Sequence, residues 1–208
     1  MKFTNKIFDI FNNILNYLRL LYTKGDLFRL FLVSAFFQHA WALFLSFRDF
    51  DWVAERTNSW DAVGNISYAL FWSFFDSLLL FIFILILSIF VHKVFSIKIR
   101  FTIMSLIALF TSIWFIFDQT FYLLGGKLPD SIIKSLSNSE HPYRILFGVI
   151  LILVVTSYLI PIYFIIRSEK FTNAMNSLLE RIILLSGLYL FLDIVGLGII
   201  IYRNMKGA

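Results

Sequence analysis

Five long apolar runs occupy most of this 208-residue chain, at positions 27–47, 66–91, 101–124, 145–166 and 182–202. A helix needs about 20 predominantly apolar residues to cross roughly 30 Å of hydrocarbon at 1.5 Å per residue, and each run meets that length. A water-soluble core could not absorb them. The chain is 60% hydrophobic and only 15% charged, with a mean hydropathy of +0.83, whereas globular domains run nearer a quarter charged. The polar stretches left between the spans are under about 20 residues, well short of the roughly 50 that a separate soluble domain needs. The sequence therefore predicts an all-α membrane protein, a five-transmembrane-helix bundle forming a single membrane domain over residues 1–208.

The segment before the first span reads differently. Ile7, Phe8, Phe11, Ile14, Leu15, Leu18 and Leu21 recur at three- and four-residue spacing, with Asn5, Asp9, Asn12, Asn16 and Arg19 between them. That period describes an amphipathic helix lying in the membrane interface rather than crossing it. Its asparagines interrupt the apolar face and no small-residue cleavage site follows, so it is expected to be retained. Gly25 is expected to end this helix and Asp26 to cap the next.

Basic residues at the span junctions set an expected direction. Lys2, Lys6, Arg19, Lys24 and Arg29 lie at or before the start of the first span, Lys93, Lys98 and Arg100 sit between the second and third, and Arg167, Lys170 and Arg181 between the fourth and fifth. The positive-inside rule makes these cytoplasmic, with a cytoplasmic N-terminus and an outer C-terminus. Arg203 and Lys206 run against the last placement. On this topology Trp41, Trp52, Trp60, Trp72 and Trp114 form one outer aromatic belt, and the outer loop at 49–65 is expected to pack with a short helical turn, Ser131 to Leu136, opened by Pro129 and Asp130 in the other outer loop, as a small outer cap. Pro161 should kink the fourth span, with Thr156 and Ser157 near the freed backbone groups.

The net charge of +5 and pI near 9.5 come from residues clustered at span ends, so they point to the lipid bilayer and its anionic lipids rather than to nucleic acid. Lys93, Lys98, Arg100, Arg167, Lys170 and Arg181 are the headgroup candidates, although topology alone accounts for their positions. The chain has no cysteine, which removes disulfides, thiolate metal sites and cysteine nucleophiles.

Four spans carry an ionisable side chain: His39, Asp76, Asp118 and Asp193. Such residues are costly in hydrocarbon and are functional candidates for that reason. At 1.5 Å per residue, His39 and Asp193 fall near the membrane centre, Asp76 about 4 Å outward and Asp118 about 8 Å outward. The matched depth predicts that the three aspartates face one cavity, together with His39, Gln38, Ser73, Ser77 and Gln119. Ser186, Tyr189, Asp193 and Gly196 share one helical stripe, as do Thr111, Trp114, Asp118 and Tyr122, and likewise Ser34, Gln38, Ala42 and Ser46. Such a cavity could hold a cation or relay protons, while the plainer role for each residue is an interhelical hydrogen bond. Gly187, Gly196 and Gly198 would allow close helix approach, and Gly125 and Gly126 end the third span.

No metal-binding motif, nucleophile elbow or local carboxylate pair is present, which leans against an enzyme and implies no metal or other cofactor. The sequence is read as a non-catalytic membrane subunit or scaffold, binding other membrane proteins, a second copy of itself, or lipid. The alternative is a small proton- or cation-conducting channel or transporter that uses the intramembrane Asp and His.

Overall fold

The computed structural model describes residues 21–91 and 95–206, so the expected interfacial helix, apart from residues 21–23 of that segment, and Lys93 lie outside the described residues. The described residues form seven helices and no strands: α1 (Lys24–Arg48), α2 (Phe50–Arg56), α3 (Ser59–Ser88), α4 (Ile97–Leu123), α5 (Asp130–Ser137), α6 (Pro142–Arg167) and α7 (Glu169–Lys206). Five of them, α1, α3, α4, α6 and α7, are long and apolar enough to cross a membrane, compatible with a multi-pass membrane protein.

Local chemistry sets the helix ends. Thr23, rather than Gly25, marks the entry to α1: its hydroxyl accepts from the Asp26 N–H, and the Asp26 carboxylate accepts from the Thr23 N–H. This reciprocal pair satisfies two backbone donors that the first helical turn would otherwise leave open. Asp26 is thus the third residue of the helix, and Gly25 sits inside the first turn. Asn58 caps α3 by accepting the Asp61 N–H at its side-chain oxygen, and the Ser96 hydroxyl caps α4 by accepting from the Ile99 N–H. Gly125 takes a positive φ of 64° just after α4, the left-handed conformation that closes a helix at little cost to glycine. Helix α6 runs through Pro161.

The largest departure from the expected boundaries is at the last turn. Ser168 alone separates α6 from α7, so Lys170 and Arg181 lie on a helix rather than in a loop. The Thr172 hydroxyl donates to the Ile165 carbonyl across the corner at 2.8 Å. At 38 residues α7 is about 57 Å long, nearly twice the hydrocarbon thickness, so its first turns project beyond any span.

Helices α1, α3 and α7 pack on one another as a three-helix centre; α4 lies against α1, and α6 bridges the outer sides of α4 and α7. The core is concentrated toward the end that carries Lys24, Lys98 and Arg167, termed here the basic end. There Phe101, Ile103, Met104, Leu106, Ala108 and Leu109 of α4 are buried against Leu30, Val33, Leu80, Ile84, Leu179 and Ile182, and Leu21 tucks in beside them. Ile165, the buried residue of α6, joins this basic-end core, and toward the opposite, short-helix end α4 emerges from the packing. Each short helix packs chiefly on a long one: α2 on α3, and α5 on α6.

Arg203 is used internally at the short-helix end. Its guanidinium donates to Asp61 and to the Trp60 carbonyl, each at 2.6 Å, and lies in the space where a Cβ on Gly64 would stand 2.8 Å away. This clasp joins the last turns of α7 to the first turns of α3 and neutralises a charge that ran against the expected topology. Gly64→Ala should displace the guanidinium and loosen both ends, seen as faster amide exchange at 59–64 and 200–206. The melting temperature should change little, because the clasp is far from the core.

Candidate functional site

A buried polar contact of the bundle is built from α1 and α7. His39 is fully buried, and its Nε2 lies 3.0 Å from both carboxylate oxygens of Asp193. Its Nδ1 lies 2.9 Å from the Ala35 carbonyl, one turn back on the same helix. A carbonyl can only accept, so Nδ1 carries a proton and donates it. Ser77 Oγ stands 3.5 Å from the same nitrogen and spends its own proton on the Ser73 carbonyl at 2.6 Å, leaving a lone pair toward the ring. A proton between Nε2 and the carboxylate would make this 3.0 Å contact a hydrogen bond. Held so, the pair is neutral as a unit whichever partner has that proton, which is the arrangement a low-dielectric interior favours. Tyr189 stacks on the imidazole with centroids 5.7 Å apart and planes 5° off parallel.

The local sequence explains the geometry. Ser186, Tyr189, Asp193 and Gly196 share a stripe of α7, and all four turn inward: Ser186 is buried, Tyr189 and Asp193 meet His39, and Gly196 packs on the backbone of Ser67. On α3 the inward stripe is Ser67, Leu70, Ser73, Ser77, Leu80 and Ile84. Its serines, like Ser34, Ser112 and Ser186, donate to a carbonyl four residues back in their own helix. Small polar side chains thus fill the interior without needing water.

The expected shared cavity is not formed. Ser73 and Ser77 face the interior, so Asp76, one residue or about 100° from Ser77, faces outward with Trp72, Leu79 and Phe83. Asp118 also lies exposed, lining a groove between α4 and α6 that includes neither Asp76 nor Asp193. Matched depth along a helix says nothing of rotation about its axis, and rotation separates these carboxylates. Gln38 donates to Ser112 at 3.4 Å, and Gln119 accepts from the Trp41 indole, so both glutamines tie α1 to α4 rather than to the His39 pair. Among the described residues no group of three or more His, Asp or Glu side chains gathers where a metal ion could sit.

At the basic end the headgroup candidates divide. Arg167, Lys170 and Arg181 are exposed, and Lys98 donates to Asn173 at 2.6 Å. Arg100, in contrast, is buried in the first turn of α4, with its guanidinium 6.0 Å from the Tyr22 ring centre. It lies inside the bundle because α4 begins at Ile97, drawing a residue expected in a loop into the packed helix. Burial raises the Tyr22 hydroxyl above the ordinary phenol range. Arg29, read from the sequence only as a topology residue, pairs with Glu180 at 3.7 Å and covers Phe101. A basic residue three positions after an N-terminal acid on one helix gave no cue to a partner on another.

No family model, curated protein or solved structure matches this chain.

Proposed function

We propose that this chain is a non-catalytic membrane subunit that docks another membrane protein on the α3 face centred on Asp76. One observation carries the reading: Asp76 stands on the outward side of a 30-residue apolar helix, twelve residues from its nearer end, with no hydrogen bond or ion pair among the described residues. Twelve residues correspond to about 18 Å, deep in hydrocarbon if α3 spans a bilayer. An Asp there costs about 2.5–3.5 kcal/mol on insertion scales. A partner span bearing a lysine, arginine or histidine at that depth would offset the cost and supply the missing donor. The flanking Trp72, Leu79 and Phe83 are exposed on the same side and offer it an aromatic and aliphatic wall.

A second copy of this chain is the poorer fit, because a two-fold contact on this face would place Asp76 near its own counterpart. The alternative of a proton or cation path has less support, since His39 and Asp193 meet each other and the serines around them, Ser34, Ser73, Ser77 and Ser186, bond to their own helices. A photo-crosslinker at Leu79 in native membranes should give a discrete heterologous adduct, which Asp76→Leu reduces by about fivefold, the factor expected from losing roughly 1 kcal/mol of pairing. Exchanging Asp76 for lysine and the captured partner's basic residue for aspartate should restore it. A homodimer adduct, or an adduct indifferent to Asp76→Leu and to the exchange, would overturn the reading. In the purified chain Asp76→Leu should leave the melting temperature unchanged or raise it, because no internal contact is lost.

A further inference from the structure

The second unpartnered carboxylate has different surroundings. Where α4 emerges from the core, its outward side and α6 enclose a groove of about 850 Å³, within the size range of small-molecule sites and open along one side. Trp114 and Phe115 of α4 form one wall, Val149, Ile150 and Leu153 of α6 the other, and Ile132 of α5 closes toward the short-helix end. The deep polar groups are already satisfied: Thr111 shares a hydrogen bond with Tyr158 at 3.1 Å, and the Trp114 indole donates to Ser157 at 3.0 Å. Asp118 is the one carboxylate in the lining, and among the described residues it has no hydrogen bond or ion pair.

A groove of this kind does not select an occupant by its apolar wall. Lipid tails are as apolar as the side chains, so moving a tail from bilayer to groove gains little. Selection rests on the carboxylate. It stands five residues from the end of α4, about 8 Å by helix rise, which is headgroup-adjacent depth for a spanning helix. From Asp118 to Thr111 the groove follows α4 for seven residues, about 10 Å, leaving room for a tail along the two helices. A primary ammonium can donate hydrogen bonds to the carboxylate as well as neutralise it, whereas a quaternary ammonium can only neutralise it and a phosphate or glycerol headgroup brings no positive charge.

We propose that this groove holds a membrane lipid whose headgroup carries a primary ammonium, with the ammonium on Asp118 and a tail between α4 and α6. The site lies on a different wall from Asp76 and does not depend on the docking proposed there.

The test is native mass spectrometry of the full chain released from nanodiscs containing equal amounts of lipids with ethanolamine, choline and glycerol headgroups on identical tails. The wild type should retain the ethanolamine lipid about fivefold over the other two, the preference a partly exposed ion pair supports. Asp118→Asn should abolish the preference, Asp118→Glu should keep it, and Ile150→Trp, which fills the groove, should remove the bound lipid. Circular dichroism identifies any variant that does not fold, and Asp118→Asn, nearly isosteric at an exposed position, decides the outcome if Ile150→Trp does not fold. Equal retention of the three lipids by the wild type, an unchanged preference in Asp118→Asn, or a dimer that Ile150→Trp dissociates without altering lipid retention would overturn the proposal.

Discussion

Replacing His39 by alanine should destabilise the chain by about 3–5 kcal/mol, the cost of breaking a buried ionic pair from one side. The imidazole is completely buried, so its removal leaves a cavity under Tyr189 and takes from Asp193 the group that holds its proton. Asp193→Asn should be much milder, about 1 kcal/mol. An asparagine amide can donate to Nε2 of a neutral imidazole while Nδ1–H keeps its bond to the Ala35 carbonyl, so both ring nitrogens stay satisfied. The double variant His39→Leu with Asp193→Leu should recover most of what His39→Ala loses, since a buried pair exchanged for well-packed apolar side chains is often neutral. Unfolding in mild detergent, followed by tryptophan fluorescence, measures all three. A loss in Asp193→Asn as large as in His39→Ala would mean that the full negative charge, and not the shared proton, holds α1 to α7.

The same residues show how far a sequence can be read. His39 and Asp193 were legible as mid-span polar residues, and the stripe from Ser186 to Gly196 points one way along a regular helix, but the sequence grouped them with Asp76 and Asp118 and did not single out their pairing. Asp76 and Asp118 were legible in depth only. Which side of α3 faces the bundle depends on Ser67, Ser73 and Ser77, whose size and self-satisfied hydroxyls let α1 and α7 approach closely. In an apolar helix that is hydrophobic all round, this small-residue stripe is the packing signal, and a hydrophobicity pattern does not report it. Three of the five long helices lie within four residues of the expected bounds, whereas α3 starts seven residues before Ile66 and α7 thirteen before Ile182. The α6–α7 corner was not legible, because the polar residues 169–181 resemble a loop in composition while having nothing to interrupt a helix. Arg100 shows the same limit: its charge suggests the surface, and only the packing of Tyr22 and α4 reveals that it is covered.

Gly196→Leu should separate α7 from α3 and destabilise the chain by about 1–3 kcal/mol, the range for forcing extra methylenes into a packed contact. A Cβ at Gly196 would lie 3.5 Å from both the Cα and the carbonyl oxygen of Ser67, ordinary contact distance for a methyl but one that leaves no space for a branched side chain. Gly196→Ala should therefore be tolerated. Gly187 and Gly198 provide the comparison, since a Cβ at either meets nothing within 4 Å. Leucine at those positions should leave stability unchanged or raise it slightly by improving helix propensity. Because Gly196 lies one turn beyond Asp193, moving α7 away from Ser67 should also draw the carboxylate from His39. Gly196→Leu and His39→Ala should then combine to less than the sum of their separate losses in a double-mutant cycle. Full additivity would show instead that the glycine contact and the His39–Asp193 pair hold α7 independently, with the helix able to tilt at one without releasing the other.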